Sequence, residues 1–360
     1  MTQMAQLLDT GRTDRLLLHS MRIRTTDQAK RPTRNDVARE ANVSGWTVSH
    51  VLNDDHSVSI SEETRIRVWE AARQLGYRPN NNARALATGR TSTVGFWMCF
   101  LYSQYRAHVL HRMQNVMKGS DFELVIRDVE DELSRRSDQP NAFKIPVDGI
   151  IALDTPTAGK RLARADNGMT APFVSVGAFW ADDGDYVAVD LYAGSVDAVR
   201  HLVETGRRRI AYVVPQTDDD PNESRYLAYR TVLAEAGIET SIIRTDGVTL
   251  SGSYRAVTDF LGSNRDIDAI FCHNDDMAFG AHRAITDLGF TIGKQVALVG
   301  CDGIEETEYL SPPLSTIVQP VDEMCELAWE FLQNRINDPS IPLQQRTLKP
   351  QLVVRASSQR

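Results

Sequence analysis

A chain of 360 residues is longer than one ordinary core accommodates, so two or three compact units are expected. With 42% hydrophobic and 24% charged residues the composition is that of a globular protein. No apolar run approaches the roughly 18 residues of a membrane span, and Leu16-Leu17-Leu18 is too short and too close to charge to be the apolar stretch of a signal peptide, so a cytoplasmic protein is expected. The net charge of −8 divides unevenly: residues 22–90 hold 12 Lys/Arg against 8 Asp/Glu, whereas residues 91–360 hold 26 against 38. A basic segment on an acidic body suits a chain whose attraction to a polyanion is local.

Residues 1–32 precede the first regular pattern and are expected to be a disordered extension, with Met21 a second candidate start. Thr33 followed three residues later by Asp36 is a capping-box-like helix start, and Val37, Ala38 and Ala41 then share one helical face. Asn42 suits a left-handed helix end. Ser44 is a second N-cap, opening a helix to about Leu52 that buries Val48, Val51 and Leu52. Two short helices joined by Asn42-Val43-Ser44 form a helix-turn-helix. The outer face of the second carries Gly45, Trp46, Ser49 and His50, the face that would enter a major groove. An exposed Trp beside a His is an odd way to solvate a helix, which favours a binding role. A third helix starts at Ser61, buries Val68, Ala71, Ala72 and Leu75, and stops at Gly76-Tyr77 before Pro79.

The stretches Asp36-Val-Ala-Arg-Glu-Ala-Asn-Val-Ser44, Thr47-Val-Ser-His-Val-Leu-Asn53, Ser61-Glu-Glu-Thr-Arg65 and Leu75-Gly-Tyr-Arg-Pro-Asn80 resemble the head of the lactose/galactose repressor family over about 60 residues. The resemblance implies a homodimer on a near-palindromic operator, with Gly45, Trp46 and His50 at base-reading positions. It also places Thr33, Thr47, Ser49 and Asn53 where phosphates are held, which fixes register without reading sequence. Residues 81–90 read alone as a polar linker with some helical propensity; in register with the family they resemble a hinge helix. Leu86 then matches a leucine wedged into the minor groove, and Ala83 lies where paired hinges approach. The expected divisions are residues 33–80 for the DNA-binding head, 81–90 for the hinge and 91–360 for the body.

From Thr93 the pattern becomes apolar strands alternating with helices. Strands are predicted at Val94–Phe100, Phe122–Ile126, Gly149–Leu153, Phe173–Val176, Ile210–Val214, Ala269–Cys272 and Val296–Gly300, and helices include Tyr192–Thr205, Glu223–Ala236 and Asp275–Leu288. This is an α/β body, expected to hold two parallel sheets in two lobes with a ligand cleft beyond the C-terminal strand ends. The scattered Cys99, Cys272, Cys301 and Cys325 form no CxxC pair and read as buried free thiols.

The same family resemblance continues through Val187-Ala-Val-Asp190, His201-Leu-Val-Glu-Thr-Gly-Arg-Arg-Arg-Ile-Ala211, Asn274-Asp-Asp-Met-Ala-Phe-Gly280, Val299-Gly-Cys-Asp302 and Pro313-Leu-Ser-Thr-Ile317, which are similar to its periplasmic-binding-protein-type core. It implies crossings between lobes near 190, 319 and 346, giving an N-lobe of about 91–189 and 320–346 and a C-lobe of about 190–319 and 347–360. Arg225 matches the family's effector-binding arginine, and Asn274 and Asp302 each follow a strand toward the cleft. Asp275, at a helix N-terminus, reads as a cap. Phe100, Gly177 and Val248 stand at or near other effector positions, but this chain departs there. It has Gly177 where sugar-binding relatives often carry Asp, Val248 where some carry an aromatic, and no Asn-Pro-Phe-Phe in the loop Phe100–Tyr105. Trp97, Phe100, Tyr102, Phe179 and Trp180 are candidates for stacking or for core, and Pro140 interrupts a stretch that is usually helical.

The expected function is a sequence-specific DNA-binding regulator, in the family usually a repressor, controlled by a small polar ligand such as a sugar. The alternative is a small-molecule-binding protein or sugar-acting enzyme on the same scaffold. No GxSxG, P-loop, HExxH or GxGxxG after the first strand supports it, so no catalytic residue, metal or cofactor is expected.

Overall fold

The computed structural model describes residues 32–53, 57–78, 85, 89–99, 103–129, 146–155 and 171–359. Ala83, Leu86, Phe100, Tyr102, Pro140 and residues 1–31 therefore lie outside the described residues. The chain divides into two compact units, Met1–Ala83 and Arg84–Arg360.

In the first unit, α1 (Arg34–Glu40), α2 (Gly45–Leu52) and α3 (Glu62–Leu75) surround a small core of Val37, Ala38, Ala41, Val48, Val51, Val68, Ala71 and Ala72, with Leu52 and Leu75 packed against it half-buried. Each helix start follows its local chemistry. Thr33 and Asp36 close a reciprocal capping box, and Ser44 and Ser61 accept from the amides of Thr47 and Thr64. Asn42 takes φ +53 at the turn between α1 and α2, the left-handed conformation that a short amide side chain tolerates. Such caps turn three short segments, each marginal alone, into one packed head.

The second unit contains two six-stranded sheets. Its first lobe is built from β1 (Thr93–Met98), α4 (Gln104–Val116), β2 (Glu123–Asp128), β3 (Gly149–Leu153), β4 (Phe173–Gly177) and β5 (Asp185–Val189). The second holds α5 (Leu191–Glu204), β6 (Ile210–Pro215), α6 (Ser224–Glu235), β7 (Ser241–Thr245), α7 (Leu250–Ser263), β8 (Ala269–Cys272), α8 (Asp275–Asp287), β9 (Ala297–Asp302) and β10 (Ser315–Val318). The chain then returns with α9 (Val321–Asn337) and β11 (Gln345–Leu348) to the first sheet, and ends with β12 (Gln351–Val353) in the second.

The sheet orders are β11-β5-β4-β3-β1-β2 and β12-β10-β9-β8-β6-β7, so the same winding occurs twice. Every pairing is parallel except β10 with β12. Central strands such as β3, β6, β8 and β9 are buried at every residue, as strands covered on both faces must be. The third passage between sheets falls between Leu348 and Gln351, because Arg346 still pairs with Val187 inside β11. All four cysteines are buried and free.

Trp97, a candidate for stacking, is core: it is buried against Cys99, Val129 and Ile150. Trp180 donates from Nε1 to Asp182 at 2.7 Å and lies against Tyr186, while Phe179 is exposed.

Candidate functional sites

The head presents one face with no packing role. Val48 and Val51 turn α2 inward, which leaves Trp46 outward and 55% exposed. Its ring lies against that of His50, tilted by 36° with centroids 4.0 Å apart, and His50 Nδ1 lies 2.8 Å from the Trp46 carbonyl. A carbonyl only accepts, so Nδ1 carries the proton and a neutral ring has Nε2 as its acceptor. Ser49 Oγ donates to the Gly45 carbonyl and accepts from Arg34 Nη1, each at 3.1 Å. Thr47 Oγ1 is 2.9 Å from Ser44 Oγ; Thr33 caps α1, and Asn53 lies exposed at the end of α2. Sequence reasoning missed Arg34, whose side chain crosses from α1 to the recognition face. Its only signal was a cation just after a helix cap.

In the body, the C-terminal ends of β6, β8 and β9 gather a buried polar cluster. Glu223 caps α6 by accepting from the amides of Arg225 and Tyr226. The Arg225 guanidinium donates from Nε to Glu223 Oε1 at 2.9 Å and from Nη1 to the His273 carbonyl at 3.0 Å. Burial, the largest effect, works against its charge, but Glu223 together with Tyr212, Cys301 and Asp302 outweighs it and raises its pKa. Burial is likewise the largest effect on Glu223 and works to raise it, and the Arg225 charge together with the hydrogen bonds from Arg225 and the Tyr226 amide holds it below its ordinary value.

His273 accepts from the Tyr212 hydroxyl at Nδ1 (2.9 Å) and lies 3.3 Å from Asp218 through Nε2. Burial, reinforced by Arg225, lowers its pKa, so this contact is a hydrogen bond from a neutral ring. Burial pushes the Asp218 carboxyl up as its largest single effect, yet the hydrogen bond from His273 together with the charges of Arg225 and Arg106 keeps it below its usual range.

Asp302 closes β9 with φ +135 and is 7% exposed. Burial pushes its carboxyl well up, reinforced by the charge of Asp275. Arg225 lies in its field, so these two predicted residues are brought together. The helix cap expected at Asp275 falls one residue earlier, at Asn274. The Asn274 side chain accepts from Met277 N at 2.8 Å and is the cap of α8. Asp275 instead accepts from Gly303 N, Ile304 N and Thr316 Oγ1 at 2.7–3.1 Å, which ties the ends of β9 and β10 to the helix. Val248 is not brought to this cluster: it is half-buried in the bend before α7, against the core of the second lobe. Gly177 ends β4 in the first lobe with φ +102. Among the described residues no group of three or more His, Cys, Asp or Glu could hold a metal ion, and no helix is long and apolar enough to cross a membrane.

A capped helix-turn-helix with an unburied reading face, followed by a doubly wound two-lobed body with buried polar groups at its strand ends, defines a DNA-binding regulator with a ligand-sensing domain. Residues 33–80 match the description "Bacterial regulatory proteins, lacI family", and residues 199–358 match "Periplasmic binding protein-like domain". The ribose operon repressor of Escherichia coli (strain K12) is 30% identical over 91% of this chain and 99% of its own. The HTH-type transcriptional repressor PurR of Klebsiella pneumoniae subsp. pneumoniae is 30% identical over 90% and 96%. The crystal structure of the lac repressor dimer bound to operator and an anti-inducer superposes with a TM-score of 0.73 at 23% identity, over 92% of this chain and all of that one. The chain belongs to the lacI family of bacterial transcriptional regulators.

Proposed function

We propose that this protein is a cytoplasmic homodimeric repressor that reads a near-palindromic operator and releases or grips it according to a small polar ligand, a sugar or related metabolite. The observation that carries the DNA-reading half is the Trp46–His50 ring pair, held outward on a helix that buries Val48 and Val51 on its opposite face. Gly45, Trp46 and His50 are the base-facing positions; Thr33, Thr47, Ser49 and Asn53, with Arg34 added, are phosphate-facing. Ala83 and Leu86 in the hinge complete the DNA set by resemblance. The domain division is the head at 33–80, the hinge at 81–90 and two lobes between 91 and 360.

The ligand half is supported by Arg225, in the first turn of the helix after β6, and Asp302, at the end of β9, two buried polar side chains at the C-terminal edge of one doubly wound sheet. Asn274 contributes its amide from the cap of α8. The ribose operon repressor and PurR carry in their names a sugar operon and the role of repressor, which supports a metabolite-controlled repressor here. Ligand binding shifts an equilibrium between two lobe arrangements and needs no bond chemistry, so the protein acts without catalysis.

The test is selection of DNA sites from a random pool by the full chain, then fluorescence anisotropy on the selected site with and without sugars. The expected result is a two-fold symmetric site and an affinity that changes with one ligand. Recovery of random DNA without sequence preference overturns the reading.

A further inference from the structure

The reading face of α2 opens on a residue without a side chain. Gly45 is the first helical residue after the Ser44 cap, at the end of the helix where side chains approach base edges. It has no positive φ, so the backbone there does not require glycine. What the missing side chain leaves is room. A Cβ on Gly45 would meet Arg34 Nε and Asn35 Oδ1 at 3.4 Å and Arg34 Cζ at 3.8 Å. The Arg34 guanidinium, reaching across from α1, thus lies where a longer side chain at 45 would have to pass.

That guanidinium is anchored on one side and open on the other. Its Nη1 donates to Ser49 Oγ at 3.1 Å, and Ser49 Oγ donates in turn to the Gly45 carbonyl. Among the described residues its Nε and Nη2 have no partner, and no carboxylate pairs with its charge. Two other arginines of the head, Arg39 and Arg67, are paired with Asp36 and Glu63. Asn35 borders the same gap, but no hydrogen bond ties its side chain to α2 among the described residues. The rest of the face is short of donors. Trp46 offers one, the neutral His50 ring accepts at Nε2, and the Ser49 hydroxyl is spent on the Gly45 carbonyl. The two parallel donors of this face are therefore those of Arg34.

We infer that Arg34 stands in for the side chain that Gly45 lacks and reads one guanine in each half-site of the operator through Nε and Nη2. This rests on the operator reading proposed above, and it adds a base to the phosphate that Arg34 faces there. The choice of base follows from the edges. Guanine presents two acceptors in the major groove, O6 and N7, and no other base presents two. A planar fork of two N–H groups matches that pair, whereas an ammonium at the same place would not. Ser49 fixes the fork by its remaining nitrogen, so little freedom is lost when the base is engaged.

The test measures binding of the full chain to its selected site and to every single-base variant of one half-site. Wild type is expected to lose about tenfold or more in affinity when one particular guanine is replaced. Arg34→Met and Arg34→Lys should bind all four bases at that position within about twofold of one another. Lysine keeps the charge, so Arg34→Lys should retain the wild-type affinity for random DNA and its salt dependence. Gly45→Leu keeps Arg34 but fills its place, and should lose the same guanine preference. Arg34 and Gly45 lie outside the packed core of the head, and melting temperatures establish that each variant folds. Equal losses on every variant site, with the guanine preference intact, would leave Arg34 a phosphate contact alone and overturn the inference. So would a guanine preference that survives Gly45→Leu, or a selected half-site that requires no guanine, with the operator reading left standing. If the full chain selects no site at all, the operator reading falls and takes this inference with it.

Discussion

Gln319 holds Asp302. Its Nε2 donates to the Asp302 carboxylate at 2.9 Å, while its Oε1 accepts from the Tyr105 hydroxyl at the same distance. The chain of three links α4 of one lobe to the end of β9 in the other through the very segment where the backbone crosses between them. All three side chains are buried, so each broken link leaves an unpaired polar group. Tyr105→Phe should therefore cost about 1–3 kcal/mol of stability. Gln319→Leu should cost at least as much, and the double variant less than the sum, because the same link is lost in both. A denaturant double-mutant cycle measures this; strict additivity would show that the two side chains do not act as one link.

Arg225 is embedded more deeply than its sequence position suggested. Replacing it with Ala would strand Glu223 beside the neutral His273, a buried charge without its partner. That loss is expected to cost about 3–5 kcal/mol in unfolding free energy. Any effect on ligand binding must be read against it. Arg225→Lys keeps the charge but not the fork that reaches both Glu223 and the His273 carbonyl. It should stay folded and lose the ligand-dependent change in operator affinity. A normal ligand response from Arg225→Lys would remove Arg225 from the site.

Much of this architecture is readable from local pattern, because the central strands are apolar runs and the helices carry their own caps. Helices α5, α6 and α8 begin and end within one residue of where periodicity places them. The strands not recognised are mostly at sheet edges. In β11 three of four residues are exposed, and β7 carries the exposed Arg244, so neither shows the apolar signature of a buried strand. Strand β5 opens on Asp185, polar in sequence yet buried, because Arg335 from α9 grips it at 2.8 Å. The site divides the same way. Trp46, His50 and Arg225 stand out by residue type. Gln319 and His273 do not, since each matters only for what a distant segment brings to it.

Trp46 does not fold back on the head. At 55% exposure it lies against the His50 ring and covers none of the three-helix core. An indole has one donor and a broad apolar face, so it suits a thymine methyl or the sugar-phosphate wall and not bidentate reading of guanine. Trp46→Ala is expected to cost about 1–3 kcal/mol of binding at one or two base pairs in each half-site. The melting temperature of the free protein should change little. Binding measured on a set of single-base operator variants gives the first quantity and calorimetry the second. A large drop in melting temperature with unaltered base preference would make the residue structural.

The last prediction is a pH dependence at Asp275. Burial pushes its carboxyl up to about 6 from an ordinary 3.8, while the hydrogen bonds from Thr316, Ile304 and Gly303 pull it back down. Between those two values the folded chain retains a proton that the unfolded chain has given up. Folding stability from this group therefore falls as pH rises from about 4 to about 6 and is level above that. Asp275→Asn removes the titration. Its oxygen still serves the Gly303 and Ile304 amides, and its nitrogen can donate to Thr316 once that hydroxyl turns. The stability of wild type relative to the variant should consequently increase as pH is lowered from 7 to 5. Paired denaturant titrations across that range decide it: a difference that is flat, or that grows with rising pH, would mean that Asp275 is ionised throughout and that its three donors outweigh its burial.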